Sequence, residues 1–331
     1  MTDPRFDVLC IGNAIVDVIA DADDAFLAAQ GLDKGSMRLI DEAEAVRLYD
    51  VMGPGREISG GSAGNTAAGL AALGLKAAFI GQVADDQLGK IYQHDIEAQG
   101  ISFLIAPRSD VGATARSLIL VTPDAQRTMN TFLGAAQLLE TNSIDLDAIA
   151  DSGIVYLEGY LWDPAEPRAA MEAAMEVAHA AGRKVAFTLS DTFCVDRHRE
   201  GFWQLLRDGK IDILFANEAE AKAMVAVDNF EEAVACLAKL APTLVVTRSG
   251  EGAIALSGGQ RASVPAEPIE RLVDTTGAGD LFAAGFLAGQ SRGLSLEASL
   301  RLGAIAAAEV IQHYGARPEA DLKALTGELI A

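Results

Sequence analysis

The chain lacks the features that would announce a disulfide scaffold, a zinc site, a nucleic-acid binder or a membrane span. Its three cysteines, Cys10, Cys194 and Cys236, are odd in number, widely spaced and form no C-x-x-C pair. A disulfide framework and a paired-thiolate metal site are therefore not indicated, and reduced, mostly buried thiols are expected. Basic residues are scarce: 26 lysines and arginines face 47 aspartates and glutamates, a formal net charge of −21. Nucleic acid and an anionic membrane both need a positive footprint, so neither is expected as a partner. The same shortage means that an anionic substrate must be held by local backbone dipoles, a metal ion or a few arginines. No uncharged apolar run reaches the ~18 residues of a bilayer span, and the opening "MTDPRFDVLCIG" has no basic segment followed by an apolar one. A cytoplasmic protein is expected. Aromatics make up only 6% of the residues although half are hydrophobic, with alanine and glycine plentiful. That balance suits helices packed closely on a sheet.

Internal repeats, low-complexity tracts and Pro- or Ser-rich linkers are missing too, so nothing cuts the chain into independent domains. What is present is an alternation of short apolar runs and helical periodicity. Phe6–Ile11, Ala77–Val83, Gly153–Leu157, Lys184–Leu189, Ile211–Phe215 and Leu244–Thr247 read as buried strands. Glu42–Met52, Ser62–Leu73, Asp86–Ala98, Pro164–Ala181, Arg197–Leu206, Glu218–Val225, Phe230–Leu240, Gly277–Ala288 and Leu296–Tyr314 read as helices. This predicts βαβ units and a mainly parallel sheet covered by helices. Two stretches, 14–40 and 114–129, break the rhythm with short β-like pieces such as "TARSLILV" and no helix between them. They are expected to pair as a small antiparallel sheet, either a functional lid or an ordinary surface hairpin. The remainder, 1–13, 41–113 and 130–331, forms the large unit.

A Walker phosphate loop, G-x-x-x-x-G-K-[ST], is also absent. In its place "DTTGAGDLFAAGFLAG", Asp274–Gly289, sets Gly277 and Gly279 ahead of a helix that is apolar all round and hence buried. Free N–H groups and the positive dipole end suit an anion there. Yet Asp280 falls in the first turn. The helix dipole alone favours an acid at that place. The functional alternative is that the amides of Gly277, Ala278 and Gly279 hold a phosphoryl group while Asp280 accepts the proton of an attacking hydroxyl. A second cluster, "SGGSAGNTAAGLAALG" from Ser59 to Gly74, offers Ser62 as a helix N-cap, Gly60 and Gly61 for close backbone approach, and Asn65 facing a ligand. Tight packing of a small-residue helix on the sheet is the plainer explanation of that cluster.

The two clusters, at these positions and in this order, resemble the paired signatures of the ribokinase-like, or PfkB, family of carbohydrate and nucleoside kinases. "NEAE" at Asn217–Glu220 is similar to that family's N-x-x-E element, and "TRSGEGA" at Thr247–Ala253 to its nucleotide-loop segment. The resemblance runs from "CIGNAIVD" to "HYGARPEAD". It implies a Rossmann-like three-layer α/β sandwich with a mainly parallel central sheet, a small β-sheet lid, and transfer of the γ-phosphoryl group of ATP to an alcohol with Mg2+. By position it makes Asp280 the catalytic base and Gly277, Ala278 and Gly279 the anion hole. Asn217, Thr247, Gly250 and Gly252 become nucleotide contacts, and Glu220 a carboxylate that reaches the metal through water. Asp274 stands where potassium-dependent relatives have a ligand, so K+ is a candidate activator. Relatives are monomers or homodimers joined through their lids.

Within the family, "GNAIVD" is similar to the GNP-hydrophobic-hydrophobic-D element of the adenosine kinase branch, whose aspartate grips the ribose 2′- and 3′-hydroxyls. Asp17 takes that place, and a carboxylate accepts two hydroxyl hydrogen bonds at once. Asn13, Gly61 and Asn65 would complete the sugar contacts, while Ala14 stands where proline is usual. The implied acceptor is the 5′-hydroxyl of adenosine or a related nucleoside. A free sugar such as ribose or fructose is the alternative acceptor, and a non-catalytic nucleotide sensor the alternative class. A nucleobase needs an apolar or aromatic slot, for which Met37, Phe132, Tyr160 and Trp162 are candidates, although such residues are more often core. Arg127, beside the lid, is either a phosphate contact on closure, as in some relatives, or an exposed loop arginine.

Overall fold

The computed structural model describes residues 3–124 and 126–330. The extreme ends of the expected large unit, 1–2 and 331, and position 125 of the small one lie outside the described residues. Among the described residues fourteen strands form in chain order: β1 (Phe6–Ile11), β2 (Ile15–Asp21), β3 (Met37–Leu39), β4 (Gly55–Ser59), β5 (Ala77–Ile80), β6 (Ser102–Phe103), β7 (Ala115–Val121), β8 (Arg127–Phe132), β9 (Ser152–Glu158), β10 (Lys184–Thr188), β11 (Ile213–Asn217), β12 (Thr243–Thr247), β13 (Ala253–Ser257) and β14 (Gln260–Val264).

Nine of them make one sheet in the order β14-β13-β12-β11-β10-β9-β1-β5-β6. From β6 to β12 every pairing is parallel, and β13 and β14 close the far edge antiparallel. Side chains alternate across a strand, so the apolar run Val8–Ile11 of β1 feeds both faces. Val8 and Cys10 pack on one side with residues of the helices Ser62–Ala72, Gln87–Ala98, Ala278–Ser291 and Leu296–Val310, among them Leu70, Tyr92, Phe286 and Leu300. Leu9 and Ile11 pack on the other with Met171, Phe202, Met224 and Val234 of the helices Ala165–Ala180, Thr192–Arg207, Glu218–Val225 and Phe230–Leu237. The result is the expected three-layer α/β sandwich. On the first side the small-residue pattern has a direct consequence: a Cβ on Gly69 would stand 2.7 Å from Ala284 Cβ and from Leu281 Cδ1. Glycine there brings the two helices that carry the glycine clusters together.

The second sheet has the order β3-β8-β7-β2-β4. Three findings correct the reading of the sequence. β2 and β7 pair parallel rather than antiparallel, since β4 and β8 flank them as the antiparallel neighbours. β4 lies within the 41–113 stretch ascribed to the large unit, and β8 runs to Phe132, beyond 129. A helix, Asp24–Ala29, interrupts the stretch expected to have none, capped by Asp23. Its Leu27, with Leu48 of the helix Glu42–Val51, packs in the cluster that holds Val16, Val18, Leu118 and Leu120. One face of the small sheet is therefore covered by helices, and the other carries Asp17, Ser117 and Thr131 in one row. Among the described residues no helix is long and apolar enough to cross a membrane.

Candidate active site

The site gathers at the carboxyl ends of β1 and β9, where parallel α/β sheets leave a crevice. Gly277 is the N-cap of the helix Ala278–Ser291 and has φ +79, a conformation open to glycine, and a Cβ there would lie 2.6 Å from Ala316 Cβ. The amides of Gly277, Gly279 and Asp280 find no acceptor among the described residues, whereas the Ala278 amide donates to Thr275 O at 3.2 Å. Of the three expected anion-hole residues, Ala278 thus has its N–H committed. The Asp280 carboxylate accepts from Ser62 Oγ at 2.6 Å and from Asn65 Nδ2 at 2.9 Å. Burial lifts its pKa above the ordinary carboxylate value, against those two hydrogen bonds and the charge of Arg317, which pull it down.

Ser62 is not the N-cap of its helix. That place belongs to Gly61, at φ +81, and a Cβ on it would collide with Asn13 O. Freed from capping, the Ser62 hydroxyl turns to Asp280. Asn65 is 5% exposed and keeps an unpartnered Oδ1. A buried amide oxygen without a donor costs about 1–3 kcal/mol, so a ligand hydroxyl there would be welcomed.

Glu158, which the sequence reading missed, ties these pieces together. It is fully buried at the end of β9. Its Oε1 accepts from the Asn13 amide and from Asn13 Nδ2, both at 2.8 Å, and its Oε2 from the Ala63 amide at 2.7 Å. Burial pushes its pKa up to about 7 while those donors hold it down. Asn13 is therefore oriented by Glu158. The only signal in the sequence was an acid closing an apolar strand, where polar groups of α/β proteins converge.

Asp17 stands on β2 beside Gly60, where a Cβ would strike its carboxylate. It is half-buried and receives no hydrogen bond among the described residues. Burial raises its pKa to about 7, opposed by the charges of Arg317 and Arg127 and assisted by those of Asp280 and Asp274. A carboxylate with both oxygens free is a ready acceptor for two hydroxyls.

Arg127 reaches across from β8. Its Nη1 donates to Thr276 Oγ1 at 3.2 Å, its Nη2 lies 2.5 Å from Asp274 Oδ2, and its guanidinium sits over the Tyr314 ring. It is thus not an exposed loop arginine. Asp274 is spoken for: besides Arg127 it accepts from Thr276 N, Thr276 Oγ1 and Gly315 N.

The residues expected on the nucleotide side lie two and three strands from β9, at the ends of β11 and β12. Asn217 caps the helix Glu218–Val225 in a full capping box, its side chain accepting from the Glu220 amide while Glu220 takes the Asn217 amide and Nδ2. Glu220 is buried with its pKa raised to about 7, chiefly by that burial. Thr247 ends β12, and a short 3₁₀ turn, Ser249–Glu251, leads to Gly252 at φ +89, packed on Val264 O. Gly250 faces open space. No hydrogen bond joins this group to Asp280 among the described residues.

The slot candidates divide. Trp162 is core, edge-on to Phe187 and Phe202. Tyr160 donates its hydroxyl to Ser190 O at 3.3 Å. Phe132 pairs with Arg116, whose guanidinium lies over Tyr49 of the helix Glu42–Val51, so it belongs to the helix-covered face. Met37 pairs with Met129 two residues along β8 from Arg127, on the site-facing side, and is 52% exposed.

Comparison with known proteins agrees with this geometry. The model of the pfkB family of carbohydrate kinases matches residues 6–322. A solved adenosine kinase from Sinorhizobium meliloti is 50% identical, with 98% of this chain and 99% of that one covered at a TM-score of 0.91. A probable sugar kinase from Rhizobium etli CFN 42 is 49% identical, with 98% of each chain covered and a TM-score of 0.92. The adenosine kinase of Saccharomyces cerevisiae is 28% identical, covering 93% of this chain and 95% of its own. With the family model matched over nearly its whole length, the chain belongs to the PfkB family of carbohydrate and nucleoside kinases, phosphotransferases that act on an alcohol group.

Proposed function

We propose that the chain phosphorylates the 5′-hydroxyl of adenosine or a closely related nucleoside. The observation that carries this reading is the pairing of two differently prepared carboxylates. Asp280 is held by Ser62 and Asn65 beside open backbone amides, and Asp17 faces the same space with both oxygens free. Asp17 suits a vicinal diol and Asp280 a third hydroxyl, which together describe a ribose. The likeness to proteins named adenosine kinases supports the choice of nucleoside.

In this reading the acceptor hydroxyl gives its proton to Asp280 as its oxygen bonds to the γ-phosphorus, and the bond to the leaving ADP oxygen breaks. A carboxylate of raised pKa is the better base for that step. The amides of Gly277 and Gly279 face the charge on the transferred group. ATP with Mg2+ supplies the phosphoryl group. Mg2+ that arrives with ATP would be held mainly by phosphates and water. We assign Glu220 to those waters and Asn217, Thr247, Gly250 and Gly252 to the nucleotide. The small sheet serves as a lid whose Arg127 leaves Asp274 for the phosphates on closure. With helices already on its outer face, we favour a monomer over a dimer joined through the lids.

A free-sugar acceptor is the second reading, favoured by the likeness to the Rhizobium etli protein. Assaying adenosine, inosine and guanosine against ribose and fructose separates the two. Adenosine is expected to give the highest kcat/KM. Turnover of a free sugar with none of any nucleoside would overturn the proposal.

A further inference from the structure

The glycine cluster that aims Ser62 and Asn65 at Asp280 is held by few bonds: Gly60 N to Ile15 O, Asn65 N to Gly61 O and Ala63 N to Glu158 Oε2. Gly60 and Gly61 carry no side chain, and Gly61 sits at φ +81. Such a segment loses more freedom on ordering than any other sequence would. The side chain that spans the cluster is Arg317, some 250 residues away in the segment after the helix Leu296–Val310. Its Nε and Nη2 donate to Ser59 O at 3.1 and 2.8 Å, Nη2 also to Ser59 Oγ at 2.9 Å, and Nη1 to Gly64 O at 2.5 Å. The two carbonyls bracket Gly60–Ala63, and Asn65 follows directly.

On its far side Ser59 is held by Asp95, whose Oδ2 accepts from its amide at 2.9 Å and from its hydroxyl at 2.5 Å. Tyr92 Oη adds a bond to Gly60 O at 3.3 Å. The same segment also touches the other half of the chemistry. Gly315 donates to Asp274, and Ala316 backs Gly277. One short piece of chain thus bears on both the acceptor loop and the anion loop.

We propose that Arg317 is a positioning residue for phosphoryl transfer: by spanning Ser59 O and Gly64 O it sets the acceptor loop at the distance from Asp280 and the Gly277–Gly279 loop that the reaction requires. The guanidinium is suited to this because its donors form a planar fork, which an ammonium cannot reproduce. The inference rests on Asp280 being the base. A shift of the loop by about 1 Å is enough to cost up to ~10²-fold in rate.

The test compares wild type, Arg317→Ala and Arg317→Lys by steady-state kinetics in adenosine and in ATP, with thermal melting alongside. For Arg317→Ala, kcat is expected to fall about tenfold or more and the adenosine KM to rise about as much, with the ATP KM within about twofold of wild type. Added guanidinium ion at millimolar concentration is expected to restore part of that kcat. A residue that served folding alone would lower the melting temperature and the active fraction, leaving the adenosine KM in place and giving no rescue. Either that pattern or wild-type kinetics overturns the proposal. Should Arg317→Ala not fold, Arg317→Lys decides: one ammonium cannot span both carbonyls, so an adenosine-side loss of about threefold or more is expected, and unchanged kinetics refute the clamp. Failure of the proposed function shows separately, as a wild-type chain without nucleoside kinase activity or an Asp280→Asn variant that keeps it.

Discussion

The group of residues proposed for the acceptor and the group proposed for the nucleotide are built on opposite plans. Around Asp280 the bonds join residues far apart in the chain: Ser62 and Asn65 to Asp280, Asn13 and Ala63 to Glu158, Ser59 and Gly64 to Arg317. Around Asn217 the polar contacts are mostly local, a capping box to Glu220 and Arg248 paired to Glu251 three residues on, with Arg248 to Glu218 the longer reach of thirty residues. A long-range network is coupled: each member holds a partner whose buried polar atoms would otherwise go unsatisfied. A local one stands on a helix turn that forms on its own terms. Damage to the first should spread, and damage to the second should stay where it is made.

The largest expected effect is at the centre of the coupled half. Asp280→Asn should lower kcat by ~10² or more, the scale for losing a general base, while ATP binding measured by titration changes little. Near-normal turnover would break the comparison at its strongest point.

Next comes pH. Asp17 is raised to about 7 and Asp280 is raised as well, both through burial. Each must be ionised to act. A carboxyl of raised pKa is ionised above its folded value and protonated below it, so kcat/KM for adenosine should fall as pH drops through about 7, roughly tenfold per unit once below it. The limb is expected in the acceptor parameter, and a profile flat from pH 8 to 5 would show these carboxylates to be unperturbed in solution.

The smallest effect belongs to the local half. Asn217→Ala removes a helix cap and should cost about 1 kcal/mol of stability, read by thermal or denaturant melting. Its change in KM should be confined to ATP. A rise in the adenosine KM would mean that the halves are coupled after all.

The same division explains what could be read before any fold was known. The helix Glu218–Val225 forms over the residues that its periodicity marked, and its cap and acid stand three apart, a spacing helix geometry imposes. Strand β1 was legible as a short apolar run, broken only by Asp7, that ends at Gly12. Ser62 was misassigned because a serine ahead of a helix usually caps it, and the nearness of Asp280 outweighed that preference. Phe132 stood as a slot candidate by chemistry, and only the pairing of β8 with β7 turned it to the helix-covered face. A strand alternates sides at every residue, so composition cannot say which side is which.

What the sequence determined by itself is therefore the set of local conformations: where helices start, which glycines permit the tight approaches at Gly61 and Gly277, and which runs are apolar enough for a buried parallel sheet. These follow from steric and hydrogen-bonding rules that act over a few residues. The tertiary structure alone decided that Glu158 would orient Asn13 and that Arg317 would brace the glycine loop. Those partners are 145 and 253 residues apart. No periodicity links positions so distant, and they meet only because strand order and helix packing bring the carboxyl ends of β1 and β9 and the two glycine-rich helices to one crevice.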